Sequence, residues 1–158
     1  MTENREKTKE FFDYAKKMMQ NSKMNEDTVI TPENIYQQAY TKNRPTLLEI
    51  MRLGHLPGST ILGMENVRKL GQLAKEGKSC LILSEHLSNM DVPSMFTRFE
   101  DCNDEEIKEI FDKLVFVAGV KLNQTPLVKL YTEMFTRIVI YPIRASTPPP
   151  PAASNPAP

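Results

Sequence analysis

The apolar positions along the chain change their period once, near Ser79. Before it they recur at helical spacing. Phe11, Phe12, Ala15, Met18 and Met19 fall on one side of residues 4–21, with Lys and Glu between them, and predict an amphipathic helix. Thr31-Pro32 predicts the start of a second helix, with Tyr36, Ala39 and Tyr40 on its apolar side, ended by Arg44-Pro45. A third helix is expected over Pro45–Leu53, carrying Leu47, Leu48, Ile50 and Met51. A fourth is expected over 64–76, with Val67, Leu70, Leu73 and Ala74 on one face and Gly77 as its C-cap. Beyond Ser79 short apolar runs alternate with helical stretches. Cys80–Leu83, Leu114–Ala118 and Arg137–Ile143 read as strands; Pro93–Arg98, Glu105–Lys113 and Pro126–Phe135 read as helices. Strands separated by helices predict a parallel sheet, and the unbroken apolar run at 114–118 predicts a strand covered on both faces. The expected fold class is therefore α/β: an N-terminal helical region over 1–62, then a mostly parallel sheet with covering helices over 63–145.

Composition changes the picture at the C-terminal end. Residues 146–158 are rich in Pro and Ala and carry no charge, which predicts a disordered, extended tail. The tail follows directly on a strand, so the sheet is expected to be incomplete at its C-terminal side, and the chain either to be truncated or to have lost its reading frame near residue 145. Charge is balanced, 20 Lys plus Arg against 20 Asp plus Glu, and gives no support for nucleic-acid binding. No apolar run approaches the roughly 18 residues that span a bilayer, and the charged N-terminus lacks a secretory h-region. A cytoplasmic protein, peripheral at most to the inner face of a membrane, is expected. Cys80 and Cys102 are read as reduced thiols, and no Cys/His cluster has metal spacing. His55 lies in a Gly/Pro loop and reads as a loop residue.

Candidate chemistry concentrates between Ser79 and Ser94. The run Cys80–Leu83 leads into a polar turn holding His86 and Asp91, and Asp91-Val92-Pro93 reads as a helix start with Asp91 as N-cap. A neutral imidazole can take a proton from an alcohol as the alcohol attacks a carbonyl. A carboxylate on the other ring nitrogen sets the tautomer and stabilises the imidazolium. If the substrate brings its own hydroxyl, no protein nucleophile is required. The alternative is a His that caps a turn beside an Asp that caps a helix.

Glu85-His86-Leu87-Ser88-Asn89-Met90-Asp91-Val92-Pro93 resembles the His-x4-Asp block of the glycerolipid acyltransferase family. Ser88 matches the family pattern; Glu85 replaces its usual Asn. Gly63–Lys78, Phe116–Gly119 and Thr125–Lys129 resemble flanking segments of the same family, so the likeness extends over 60–144. The resemblance implies transfer of a fatty acyl group from acyl-CoA or an acyl carrier protein to glycerol 3-phosphate, in phospholipid biosynthesis. It implies His86 as general base, Asp91 as its orienting partner, and Ser88 as a loop support or a turn residue. Lys121, Arg137 and Arg144 are the candidate phosphate-binding cations. No cofactor and no metal are implied. The helical N-terminal third favours glycerol 3-phosphate over the 1-acyl substrate of related enzymes. The family's next motif, of Glu-Gly-Thr-Arg type, has no counterpart here, so this stretch is expected to be marginally stable, self-associating and nearly inactive. The rival is a non-catalytic fragment that binds a lipid surface or a partner.

Overall fold

The computed structural model of the chain describes residues 2–23, 29–123 and 125–141. Among them are six α-helices and three short strands: α1 (Thr2–Asn21), β1 (Tyr36–Gln37), α2 (Arg44–Gly54), α3 (Met64–Lys75), α4 (Asp91–Asp101), α5 (Glu105–Asp112), β2 (Phe116–Gly119), α6 (Pro126–Thr132) and β3 (Arg137–Ile140). Helices therefore dominate, and the expected α/β class with a mostly parallel sheet is corrected. The sheet has three strands in the order β1-β3-β2 and is mixed: β2 runs parallel to β3, and β1 antiparallel to it.

Two elements account for the correction. The apolar run Cys80–Leu83 forms no strand; residues 78–88 have no regular structure and are exposed throughout. A strand exists only where a neighbour takes up its N–H and C=O groups. Here β3 occupies the centre of the sheet, with β1 and β2 on its two sides, and the run joins neither edge. The helix expected from Thr31 also does not form. Asn34 Oδ1 accepts from the Thr31 N–H at 2.7 Å, Asn34 Nδ2 donates to the Val29 carbonyl at 2.8 Å, and the Asn34 N–H donates to the Thr31 carbonyl at 3.0 Å. These local bonds offer the backbone a turn in place of a helix. The chain then leaves extended, and β1 pairs Tyr36 with Ile138 and Gln37 with Arg137. Downstream, the Tyr40 N–H donates to the Glu133 carbonyl at 2.7 Å.

The remaining elements follow their local signals with shifted ends. Pro45 stands in the first turn of α2, and Pro126 in that of α6. Gly77 takes the left-handed conformation, φ 78°, just after α3. Asp104 caps α5, accepting from the Glu106 and Ile107 N–H groups. Helix α4 runs past the expected Arg98 to Asp101, while α6 stops at Thr132, short of Phe135. Residues 142–158, which hold Arg144, the end of the expected third strand and the tail, lie outside the described residues, as do 24–28 within the expected Met24–Val29 connection.

One core joins the N-terminal helices to the rest. Met18 of α1, with Leu47, Ile50 and Met51 of α2, packs with Phe96, Phe99, Ile107, Phe111, Leu130 and Met134. Phe111 lies at its centre, with ring centroids 5.2 Å from Phe99, 5.3 Å from Phe96 and 5.8 Å from Phe116. Gly71 lets α3 close on α5: a side chain there would run into Ile110. Among the described residues the sheet is covered on one face only. Ala118 and Val139 are buried, while Val117, Ile138 and Tyr36, neighbours across the strands, are exposed. The expectation of a second strand buried on both faces is thereby corrected.

Candidate functional site

The turn from Glu85 to Asp91 gathers its polar groups around one carboxylate. Asp91 is the first residue of α4, preceded by Met90 as the cap residue. Its side chain caps nothing ahead of it, contrary to its expected N-cap role, and reaches backward instead. Oδ2 accepts from the Leu87 N–H at 2.7 Å and the Ser88 N–H at 2.9 Å, and Oδ1 accepts from the Ser88 hydroxyl at 2.9 Å. The Ser88 hydroxyl in turn accepts from the Met90 N–H at 3.0 Å. His86 Nδ1 lies 3.1 Å from Asp91 Oδ2.

These bonds hold the Asp91 carboxyl below the usual carboxylate range: chiefly the Ser88 N–H, then the Ser88 hydroxyl, the Leu87 N–H and His86, opposed by partial desolvation. An ionised Asp91 takes a proton on Nδ1 as a hydrogen bond and leaves Nε2 with its lone pair free. The His86 side chain is 64% exposed. The arrangement is an exposed imidazole, oriented by a carboxylate that is itself clamped by the backbone. Ser88 is held within this clamp, with its hydroxyl engaged on both sides.

The candidate cations are placed elsewhere. Lys121 is exposed on a 3-10 turn, Val120–Asn123, that follows β2. Arg137 opens β3 and is only 6% exposed. Its Nε and Nη2 donate to Gln37 Oε1 at 3.0 and 2.6 Å, and Nη2 also donates to Asn123 Oδ1 at 3.2 Å. Arg137 lines a cavity of about 400 Å³ to which neither His86, Ser88 nor Asp91 contributes. Arg144 lies outside the described residues.

Two groups escaped sequence reasoning. The Leu87 N–H carries no side-chain signal and became visible only as a donor to Asp91. Glu133 is 8% exposed and lines the same cavity as Arg137. Its signal was a single acid inside the apolar stretch Leu130–Phe135. Among the described residues no group of three or more His, Cys, Asp or Glu could hold a metal ion, and no helix is long and apolar enough to cross a membrane. Both cysteines are free and exposed.

A scan of family models found no match to the chain, and neither a curated protein nor a solved structure matches it. These comparisons therefore lend no support to the resemblance to glycerolipid acyltransferases.

Proposed function

We propose that the chain transfers an acyl group from a thioester to an alcohol, with glycerol 3-phosphate as acceptor, using His86 as general base. The observation that carries this reading is the 3.1 Å contact between His86 Nδ1 and an Asp91 already clamped by Leu87 and Ser88. Nε2 takes the proton of the acceptor hydroxyl as its oxygen adds to the thioester carbonyl. The tetrahedral intermediate collapses, the carbon–sulfur bond breaks, and the leaving thiolate takes the proton from the imidazolium. Asp91 steadies the imidazolium between these steps. The exposed side chains of Leu83 and Leu87, on either side of His86, offer an acyl chain or a lipid surface apolar contact. Lys121 and Arg144 remain the proposed partners of the acceptor phosphate, and an acyl-CoA or an acyl carrier protein the proposed donor; Arg137, buried on a cavity that the His86 turn does not line, is set aside from that role.

The test is release of free thiol from palmitoyl-CoA, together with appearance of acylated glycerol 3-phosphate, by the 158-residue chain. His86→Ala is expected to lower the rate by about two to four powers of ten, with an unchanged circular dichroism spectrum. Turnover unaffected by His86→Ala, or no transfer above the uncatalysed rate by the unsubstituted chain, rejects the reading.

A further inference from the structure

The sheet ends in an open edge, and the same chain carries an unpaired run suited to fill it. β2 pairs with β3 on one side, and among the described residues no strand pairs with its other side. The Phe116 N–H donates to the Thr136 carbonyl on the β3 side at 2.9 Å. Successive residues of a strand turn their backbone groups to opposite sides, so the N–H and C=O groups of Val117 and Gly119 face the open edge. Such an edge is a template for another strand. The run Cys80–Leu83 matches β2 in length, four residues, yet it is exposed and has no regular structure.

We infer that Cys80–Leu83 of one copy of this chain adds as a parallel strand to the β2 edge of a second copy, and that the second copy returns the exchange. With Cys80 beside Phe116, Leu81 extends the exposed row Val117, Ile138 and Tyr36, and Ile82 falls beside Ala118, next to the buried Val139. Charge selects the direction. Glu85 and Lys121 stand at the same distance beyond the run and beyond β2, both are exposed, and among the described residues neither has an ion pair. Parallel addition in this register sets Glu85 against Lys121. Antiparallel addition would set Lys78 against Lys121, and like charges opposite each other on neighbouring strands repel. Each copy offers both the run and the edge, so two copies satisfy each other about a two-fold axis and the assembly closes as a dimer. Main-chain hydrogen bonds hold the added strand, and the apolar side chains fix its register. The dilute monomer keeps its run free. The inference stands whether or not His86 catalyses acyl transfer.

The test is sedimentation velocity of the 158-residue chain across a wide range of concentration, with hydrogen exchange measured at the two extremes. The chain is expected to pass from monomer to dimer, and the amides of 80–83 and of Val117 to gain protection only as the dimer forms. Ile82→Pro, at an exposed position outside any helix or strand, is expected to abolish the dimer and leave the melting temperature of the dilute monomer unchanged. Glu85→Lys and Lys121→Glu should each weaken the dimer by about threefold or more, and the chain carrying both should recover it. A charge-exchanged chain no tighter than either single variant would overturn the assignment. So would a chain that stays monomeric throughout, protection of 80–83 already present in the dilute monomer, or a dimer that leaves these amides unprotected. A monomer that instead sediments with phosphatidylcholine vesicles, and ceases to do so in Ile82→Asp, would give the run to a lipid surface and equally overturn it.

Discussion

At the residue scale the decisive group is Asp91, because four donors converge on one carboxylate. His86 is oriented only as long as Asp91 is ionised. The folded-state pKa of Asp91 lies below its ordinary value of 3.8, so the turn is stabilised above that value and loses the contribution as pH falls through the lower folded pKa. The Leu87 and Ser88 amide resonances are expected to move together with pH, with a midpoint below 3.8. A midpoint at or above the ordinary value would mean the clamp does not exist in solution. His55 shows the opposite class of group. Its Nδ1 accepts from Arg98 Nη2, and desolvation, then the charges of Arg98 and Arg52, lower its pKa from 6.5 despite Asp101 nearby. A proton taken up by the unfolded chain near that value is refused by the folded one. Stability is therefore expected to fall as pH drops from about 7 toward 5. In His55→Gln, whose side chain can still accept from Arg98, the difference between melting temperatures at pH 8 and pH 5 should shrink. An unchanged difference would place the acid sensitivity elsewhere.

At the scale of elements, hydrophobicity and burial part company between residues 80 and 87. Leu81, Leu83 and Leu87 are 79, 86 and 86% exposed, although the run has the composition of a buried strand. Leu81→Asp and Leu83→Asp should each change the unfolding free energy by no more than about 0.5 kcal/mol, as surface substitutions do. Phe111→Ala removes the ring around which four other phenylalanines pack and should cost about 3–5 kcal/mol. Denaturant midpoints measure both, and a core-sized loss at Leu81 or Leu83 would show that the run is paired after all. Hydrogen exchange gives an independent reading: amides of 79–85 should exchange far faster than those of β2 and β3, which pair through Phe116–Gly119 and Arg137–Ile140.

At the scale of the whole molecule, the N-terminal helices are part of the main core. Met18 is fully buried within it, and the Met18 carbonyl accepts from the buried Asn43 Nδ2 at 2.8 Å. Met18→Ala is therefore expected to lower the stability of the entire chain by about 2–5 kcal/mol in a single transition. Far-ultraviolet dichroism, which follows the helices, and tyrosine fluorescence, which includes the buried Tyr131, should report the same midpoint. Two separated midpoints would mean that α1 is an appendage that frays without consequence for the rest.

What the sequence determined by itself was local. The amphipathic period marked α1, α3 and α5, prolines placed the first turns of α2 and α6, and Gly77 marked the end of α3, because these signals act within one or two turns of chain. The dyad was legible for the same reason: five positions separate His86 from Asp91, and a single turn brings them together. Tertiary structure alone decided which apolar runs became strands. Tyr36–Gln37, weak in pattern, gained a place against β3, while Cys80–Leu83, strong in pattern, gained none, because a strand is defined by a partner that its own residues do not contain. The cavity beside β3 belongs to the same class. Arg137, Glu133 and Gln37 come together across up to a hundred residues of chain, and only the folded backbone shows that two of their charged atoms were left without a partner.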